Sequence, residues 1–174
     1  LGTINIGVGI ALSMLKRPVE PYIAELDSIL RWKIVDGYGF TYGMFDWQTG
    51  VEKQHFPDDL SEEARHVYYQ GLGRSLWFAC CGESQDIAST IARFPQIYQG
   101  DMWSGAAFGS TMAGGVTGDD LEQLRTLGQD HLPAIAQGSA FAVHMRGSAG
   151  ALLPRQELAC QVYWQRPAHD VAAI

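Results

Sequence analysis

Apolar residues recur at helical spacing along most of the chain. In YYQGLGRSLWFACCG, residues 68 to 82, Tyr68, Leu72, Trp77, Phe78 and Cys81 are the apolar members of one helix, yet Gly71 and Gly73 stand inside it. Each interior glycine costs a helix about 1 kcal/mol relative to alanine, so a compensating contact is expected. Residues 61–81, 95–113 and 129–146 read as long helices, with Gly82, Gly114 and Gly147 just past their ends as C-terminal caps. Pro95 suits a first turn. Shorter helices are expected over residues 85–93 and 119–127, the latter opened by a capping box of Asp119 and Glu122. Residues 19–45 read as a further long element and 47–57 as a loop. INIGVGI near the start alternates like a strand, but its place in the repeat described next assigns it to a helix.

The glycines define that repeat. Aligned copies are GVGIALSM from Gly7, GYGFTYGM from Gly37, GLGRSLWF from Gly71, GAAFGSTM from Gly105 and GSAFAVHM from Gly138, at intervals of 30, 34, 34 and 33 residues. The first position is always glycine and the third is Gly or Ala (Gly9, Gly39, Gly73, Ala107, Ala140). The fifth is small (Ala11, Thr41, Ser75, Gly109, Ala142), and the eighth is Met14, Met44, Phe78, Met112 or Met145. A period near 34 is the length of a two-helix unit. The fold expected is therefore all-α: a short α-solenoid of stacked helical hairpins, tetratricopeptide-like, forming a single domain over residues 1–174.

Two roles follow for the bare positions. Small residues at the first and fifth positions lie on one helix face, so Gly37, Gly71, Gly105 and Gly138 are helix-packing residues that let a neighbouring helix come close. A second face would line a groove flanked by Phe40, Arg74, Trp77, Phe108 and Phe141, the candidate binding residues. Arg74 is the one charge at its repeat position, read either as a buried arginine paired to Asp36, Asp46 or Asp101, or as an anion contact on the groove. Trp103 and Trp164 read as core.

Composition narrows the partners. Charged residues are only 18% of the chain, which allows an exposed apolar face. A net charge of −7 with 12 scattered basic residues argues against nucleic acid. Three cysteines form no framework and point to a reducing, cytoplasmic setting. The first 15 residues are uncharged and end at Lys16 and Arg17, too short a run to span a membrane but a contact surface for a peripheral subunit of a membrane complex. The start at Leu1 suggests a processed or partial chain.

Catalytic chemistry is thinly represented. His55, His66, His131, His144 and His169 lack metal-binding spacing, so no metal is expected, and neither GLGRS nor GVGIAL has a phosphate-loop or dinucleotide spacing, so no cofactor is expected. Asp58-Asp59 and Asp119-Asp120 read as helix caps. Cys80 with His144 would be a nucleophile and base, against the simpler reading of Cys80 as a buried helical cysteine. The chemistry leaves a protein or apolar small-molecule binding subunit as the first reading. Its rival is a cyclase or lyase folding a polyene, with Asp36, Asp101 or Arg74 supplying acid or charge.

At the segments LRWKIVDGYGFTYGMF, YQGLGRSLWFACCG, DMWSGAAFGSTMAGG, AQGSAFAVHM and ELACQVYW the chain resembles the UnbL-type bacterial family, domain of unknown function 1702, encoded in enediyne polyketide clusters and elsewhere. The resemblance covers nearly the whole chain through its DGYGF, QGLGRSLWF and WSG...AGG signatures, and is to the C-terminal half of family members about twice as long. It implies an accessory role near lipophilic polyketide or membrane-linked pathways, and it carries over no catalytic residues.

Overall fold

A computed structural model describes residues 2–26, 30–58 and 60–173. Among them every regular element is helical. Five long helices carry the five repeat copies: α1 (Gly2–Met14), α3 (Leu30–Phe45), α4 (Glu62–Ala79), α6 (Gln96–Ala113) and α8 (Leu132–Gly147). Shorter helices lie between and after them: α2 (Glu20–Ile23), α5 (Ser84–Ile91), α7 (Gly118–Leu127), α9 (Pro154–Trp164) and α10 (Ala168–Ala172). The long helices contact one another in chain order, α1 on α3, α3 on α4, α4 on α6 and α6 on α8, while α5, α7 and α9 touch in sequence as a second row.

The cross-helix pairs Glu62–Tyr98, His66–Asp101, Gln70–Ser104 and Arg74–Phe108 advance together, so α4 and α6 run parallel. Ser104–Gly138 and Met112–Arg146 show the same for α6 and α8. A parallel neighbour requires the chain to return between long helices, which is the work of α5 and α7. Tyr68, Leu72 and Leu76 on α4, Met102 on α6, Ile87 and Ile91 on α5, and Leu121 and Leu124 on α7 are fully buried, joining the two rows in one core. Each such side chain contributes about 1.5–3 kcal/mol by leaving water. A smaller cluster of Val143, Cys160, Ala168 and Val171 closes the C-terminal end.

Local chemistry explains where the boundaries depart from expectation. α4 starts after Ser61, whose Oγ accepts the Ala64 N–H at 3.2 Å, and Gly82 (φ 80°) and Gly114 (φ 69°) follow α4 and α6 in left-handed conformations. Gly147 instead ends α8, and the left-handed residue is Gly150 (φ 64°). The expected helix over 129–146 is a short 3-10 turn (Gln129–His131) followed by α8, because Pro133 has no N–H to give and fits only in a first turn. The element expected over 19–45 is divided: α2 begins with Pro21 in its first turn and stops at Ile23, and α3 starts at Leu30. The expected loop 47–57 contains a π-helical turn (Gln48–Glu52) that buries Val51.

The capping box of α7 belongs to Thr117 and Asp120, not Asp119 and Glu122. Asp120 Oδ2 accepts the Thr117 N–H at 2.7 Å while Thr117 Oγ1 accepts the Asp120 N–H at 3.3 Å. Asp120 is thus part of a cap. Asp58 is not, since Ser61 holds that role at α4, and Asp59 lies outside the described residues.

Candidate functional site

The repeat glycines sit where backbones nearly touch. A Cβ on Gly37, Gly71, Gly105 or Gly138 would overlap the carbonyl oxygen of Ile6, Asp36, Gln70 or Ser104 on the preceding long helix. The third position faces the other way: a Cβ on Gly9, Gly39 or Gly73 would overlap the carbonyl of Ile34, Tyr68 or Met102 on the following helix. At this range Cα–H groups approach carbonyl oxygens, a weak attraction repeated at each interface. Sequence spacing pointed to the first and fifth positions, and it is the third whose close contacts reciprocate those of the first. The fifth-position residues Thr41, Ser75, Gly109 and Ala142 are nonetheless buried.

Fourth-position side chains come together around Arg74. Its Nη2 donates to Asp36 Oδ1 at 2.6 Å and its Nε to Oδ2 at 3.4 Å, joining α4 to α3 by a bidentate pair. The guanidinium lies 4.3 Å from the Phe40 ring centroid and 5.6 Å from that of Phe108, so α3, α4 and α6 each contribute to one stack. Among the three carboxylates considered for Arg74, Asp36 is the partner.

Around this stack the surface is apolar. Phe40 meets Phe78 at 5.9 Å and Phe45 at 6.5 Å, both edge to face. Phe45 is 60% exposed, and Phe78 and Met44 are also exposed. Phe141, 48% exposed, occupies the same repeat position on α8. Of the expected groove residues, Phe40, Arg74 and Phe108 are brought together and Phe141 is exposed on the adjoining helix. Trp77 does not belong with them: it is buried, packed against Gly109 and Gly82. Phe45 and Phe78 were missed. Phe78 shares the eighth position with four methionines, of which Met14 and Met44 are also exposed and Met112 and Met145 half-buried, and that row was the available signal.

A second polar cluster joins α4 to α6 nearer their N-termini. His66 Nδ1 lies 2.7 Å from Asp101 Oδ2, with the His66 ring against Tyr98, and Tyr98 stacks on Tyr69 at 4.3 Å. Burial pushes the Asp101 carboxyl above its ordinary value, with the His66 contact opposing it. Burial also raises the Tyr69 hydroxyl to about 12. Trp103 is buried as expected, and Trp164 is partly buried with its Nε1 donating to Ala136 O at 3.1 Å.

The remaining candidates are dispersed. Burial pushes the Cys80 thiol up to about 11, which disfavours a thiolate, and His144 instead places Nδ1 3.3 Å from the Ala172 carbonyl. Two surface depressions, of about 330 and 520 Å³, are lined by residues such as Gln85, Trp103 and His131 and by Thr49, Gln54 and His55; neither includes Asp36, Asp101 or Arg74. Among the described residues no cluster of three His, Cys, Asp or Glu side chains could hold a metal, and no helix is long and apolar enough to cross a membrane.

No curated protein and no solved structure shows significant similarity to the chain. The family described as "Protein of unknown function (DUF1702)" matches residues 3–174, nearly the whole chain, and the chain belongs to this family.

Proposed function

We propose that the protein is a non-catalytic binding or scaffolding subunit, a short solenoid of helical hairpins that holds an apolar segment of a protein partner against the fourth- and eighth-position face of its long helices. The solenoid reading is supported by the repetition of one glycine-to-carbonyl contact at each successive pair of long helices, with α5 and α7 as return elements between them. The binding reading rests on one observation: the contiguous aromatic surface of Phe40, Phe45, Phe78 and Phe108 over the Arg74–Asp36 pair. Apolar area left in water at neighbouring positions of successive helices stabilises nothing in the free protein, and such patches mark interaction surfaces. The Arg74–Asp36 pair beneath it fixes the rings while adding no net charge.

In this reading the protein works from the cytoplasm as an accessory to a larger complex or a lipophilic biosynthetic pathway, and contact with a membrane complex would be peripheral. A polyene cyclase has less support, because Asp36 is engaged by Arg74 and Asp101 by His66. The test is replacement of Phe108 and Phe141 by serine, followed by recovery of partners from the native cell. Loss of a partner retained by wild type, with helical content unchanged, is the expected result; equal recovery would count against the face.

A further inference from the structure

The smaller surface depression, of about 330 Å³, is bordered by three elements whose side chains meet nowhere else. On α5 and the residue that follows it, Gln85, Ala88, Ser89 and Ala92 fall at i, i+3, i+4 and i+7, so one face of small and polar residues borders the space. Gln99 and Trp103, four apart on α6, supply a second side. The 3-10 turn Gln129–His131 brings Asp130 and His131 to the third. The His131 ring stacks on Trp103 with 6.5 Å between centroids and 22° between planes, over an indole that is itself buried.

Hydrogen bonds already made decide what these side chains can still offer. Gln99 Nε2 donates to the Phe94 carbonyl at 2.8 Å, and since a carbonyl can only accept, Oε1 is the open end of that amide. Ser89 Oγ donates to the Asp86 carbonyl at 3.0 Å, which commits its one proton and leaves its lone pairs. Asp130 is exposed, and its carboxylate has no partner among the described residues. No lysine or arginine lines the depression. Separate acceptors and one negative charge therefore stand around an apolar, aromatic floor.

We propose that this depression is a binding site for a guanidinium group on a short alkyl stem. A guanidinium spreads its N–H donors over a plane and has no acceptor of its own, which suits acceptors held on different helices. Its flat, weakly hydrated face stacks on aromatic rings such as the His131–Trp103 pair, while the stem lies against Ala88, Ala92 and Leu127. An ammonium concentrates its donors at one strongly hydrated point, and an anion would meet the Asp130 carboxylate with no cation beside it. The volume is at the lower end of ligand sites, about 300–1,000 Å³, enough for a group the size of a side chain. Such a group belongs either to a free small molecule or to an arginine of another protein. The site shares no residue with the aromatic face around Arg74, so either proposal stands without the other.

The probe is n-butylguanidinium chloride, titrated into isotope-labelled protein and followed by backbone amide chemical shifts. Saturable shifts grouped on α5, the middle of α6 and the turn at Asp130 are expected, with binding at least about tenfold weaker in Asp130→Asn and for the neutral isostere n-butylurea. Asp130→Asn should leave the melting curve unchanged, and Ala92→Leu, which narrows the depression from an exposed position, serves if that variant does not fold. A blocked glycyl-arginyl-glycine peptide separates the two sources: binding at least as tight as that of n-butylguanidinium assigns the site to a protein's arginine, and weaker binding assigns it to a free small molecule. Absence of saturable shifts with both probes overturns the proposal. So does binding that ignores Asp130→Asn, or n-butylurea or n-butylammonium binding as tightly as the guanidinium.

Discussion

The α4–α6 interface and the outer edge of α1 use the same residue at the same repeat position with opposite consequences. At the centre, Gly105 seats on the Gln70 carbonyl, and His66–Asp101, Tyr98–Glu62 and the Tyr69–Tyr98 stack fasten the helices beside it. At the edge, Gly7 meets no described atom and α1 contains no charged residue. The propensity penalty of a helical glycine, about 1 kcal/mol, is identical at both. Only at the centre does the structure return something for it. Glycine alone therefore says nothing about packing until the carbonyl opposite it is known.

The largest expected effect comes from filling the central contact. Gly105→Leu would drive a side chain into the Gln70 carbonyl and the Arg74 N–H, both backbone groups that cannot swing aside. A loss of about 4 kcal/mol or more is expected, well beyond ordinary overpacking. Chemical denaturation reads it directly. A loss below about 1 kcal/mol would mean that α4 and α6 can separate freely, and the contrast with Gly7 would collapse.

Next in size is the ion pair that ties α3 to α4. Asp36→Ala leaves the guanidinium of Arg74 between two phenyl rings without its carboxylate, at an expected cost of about 3 kcal/mol. Arg74→Met combined with Asp36→Ala, which removes both charges and keeps the stem, should cost clearly less. Because Arg74→Met alone leaves the Asp36 carboxylate unpaired, the double replacement is the deciding variant; if it proved as unstable as Asp36→Ala alone, the pair would be acting through packing and not through an unpaired charge.

Much of this was legible from the sequence, and the failures have physical causes. The glycine register marked the five long helices, because a residue type so unfavourable in helices is informative when it recurs in phase. The period could not reveal that position three completes the contact with position one, since alanine and glycine at that position look alike without knowing which carbonyl faces them. Trp77 was misplaced because three- and four-residue spacings share a helix face only approximately, and a one-residue step to Phe78 turns the side chain by about 100°. Arg74 narrowed to three carboxylates but no further, since pairing across helices depends on the offset between them. The break before α8 and the cap of α7 were in reach: Pro133 and Thr117 carried those signals.

Smaller than these is a pH response that separates the centre from a loop cap. Burial raises the Asp101 carboxyl, so the folded state binds its proton more tightly than the unfolded chain does. The group's destabilising effect is absent below the unfolded carboxyl value and grows as pH rises through the raised one, where it is complete. Asp120 behaves oppositely: hydrogen bonds from the Thr117 backbone and then its side chain lower its carboxyl, so its stabilising effect holds at neutrality and fades as pH falls through the folded value. Relative to wild type, Asp101→Asn should therefore gain stability as pH rises from the acid range to neutrality, and Asp120→Asn should lose it. Urea midpoints at several pH values give both slopes; slopes of the same sign would refute the assignment of burial at one site and capping at the other.

Gly7→Ala is the smallest change and the sharpest probe of the edge. A methyl group there enters open space, so nothing need move, and alanine removes the backbone freedom that glycine loses when α1 forms. The isolated protein should gain about 0.5–1 kcal/mol. The same substitution at Gly37 must push Cβ into the Ile6 carbonyl of α1 and should destabilise. Because α1 packs on α3 through Gly9 and Gly37 together, hydrogen exchange of α1 amides should slow in Gly7→Ala and quicken in Gly37→Ala. Opposite signs from one chemical change, at two glycines of the same repeat position, would show that Gly7 is retained against the stability of the free protein.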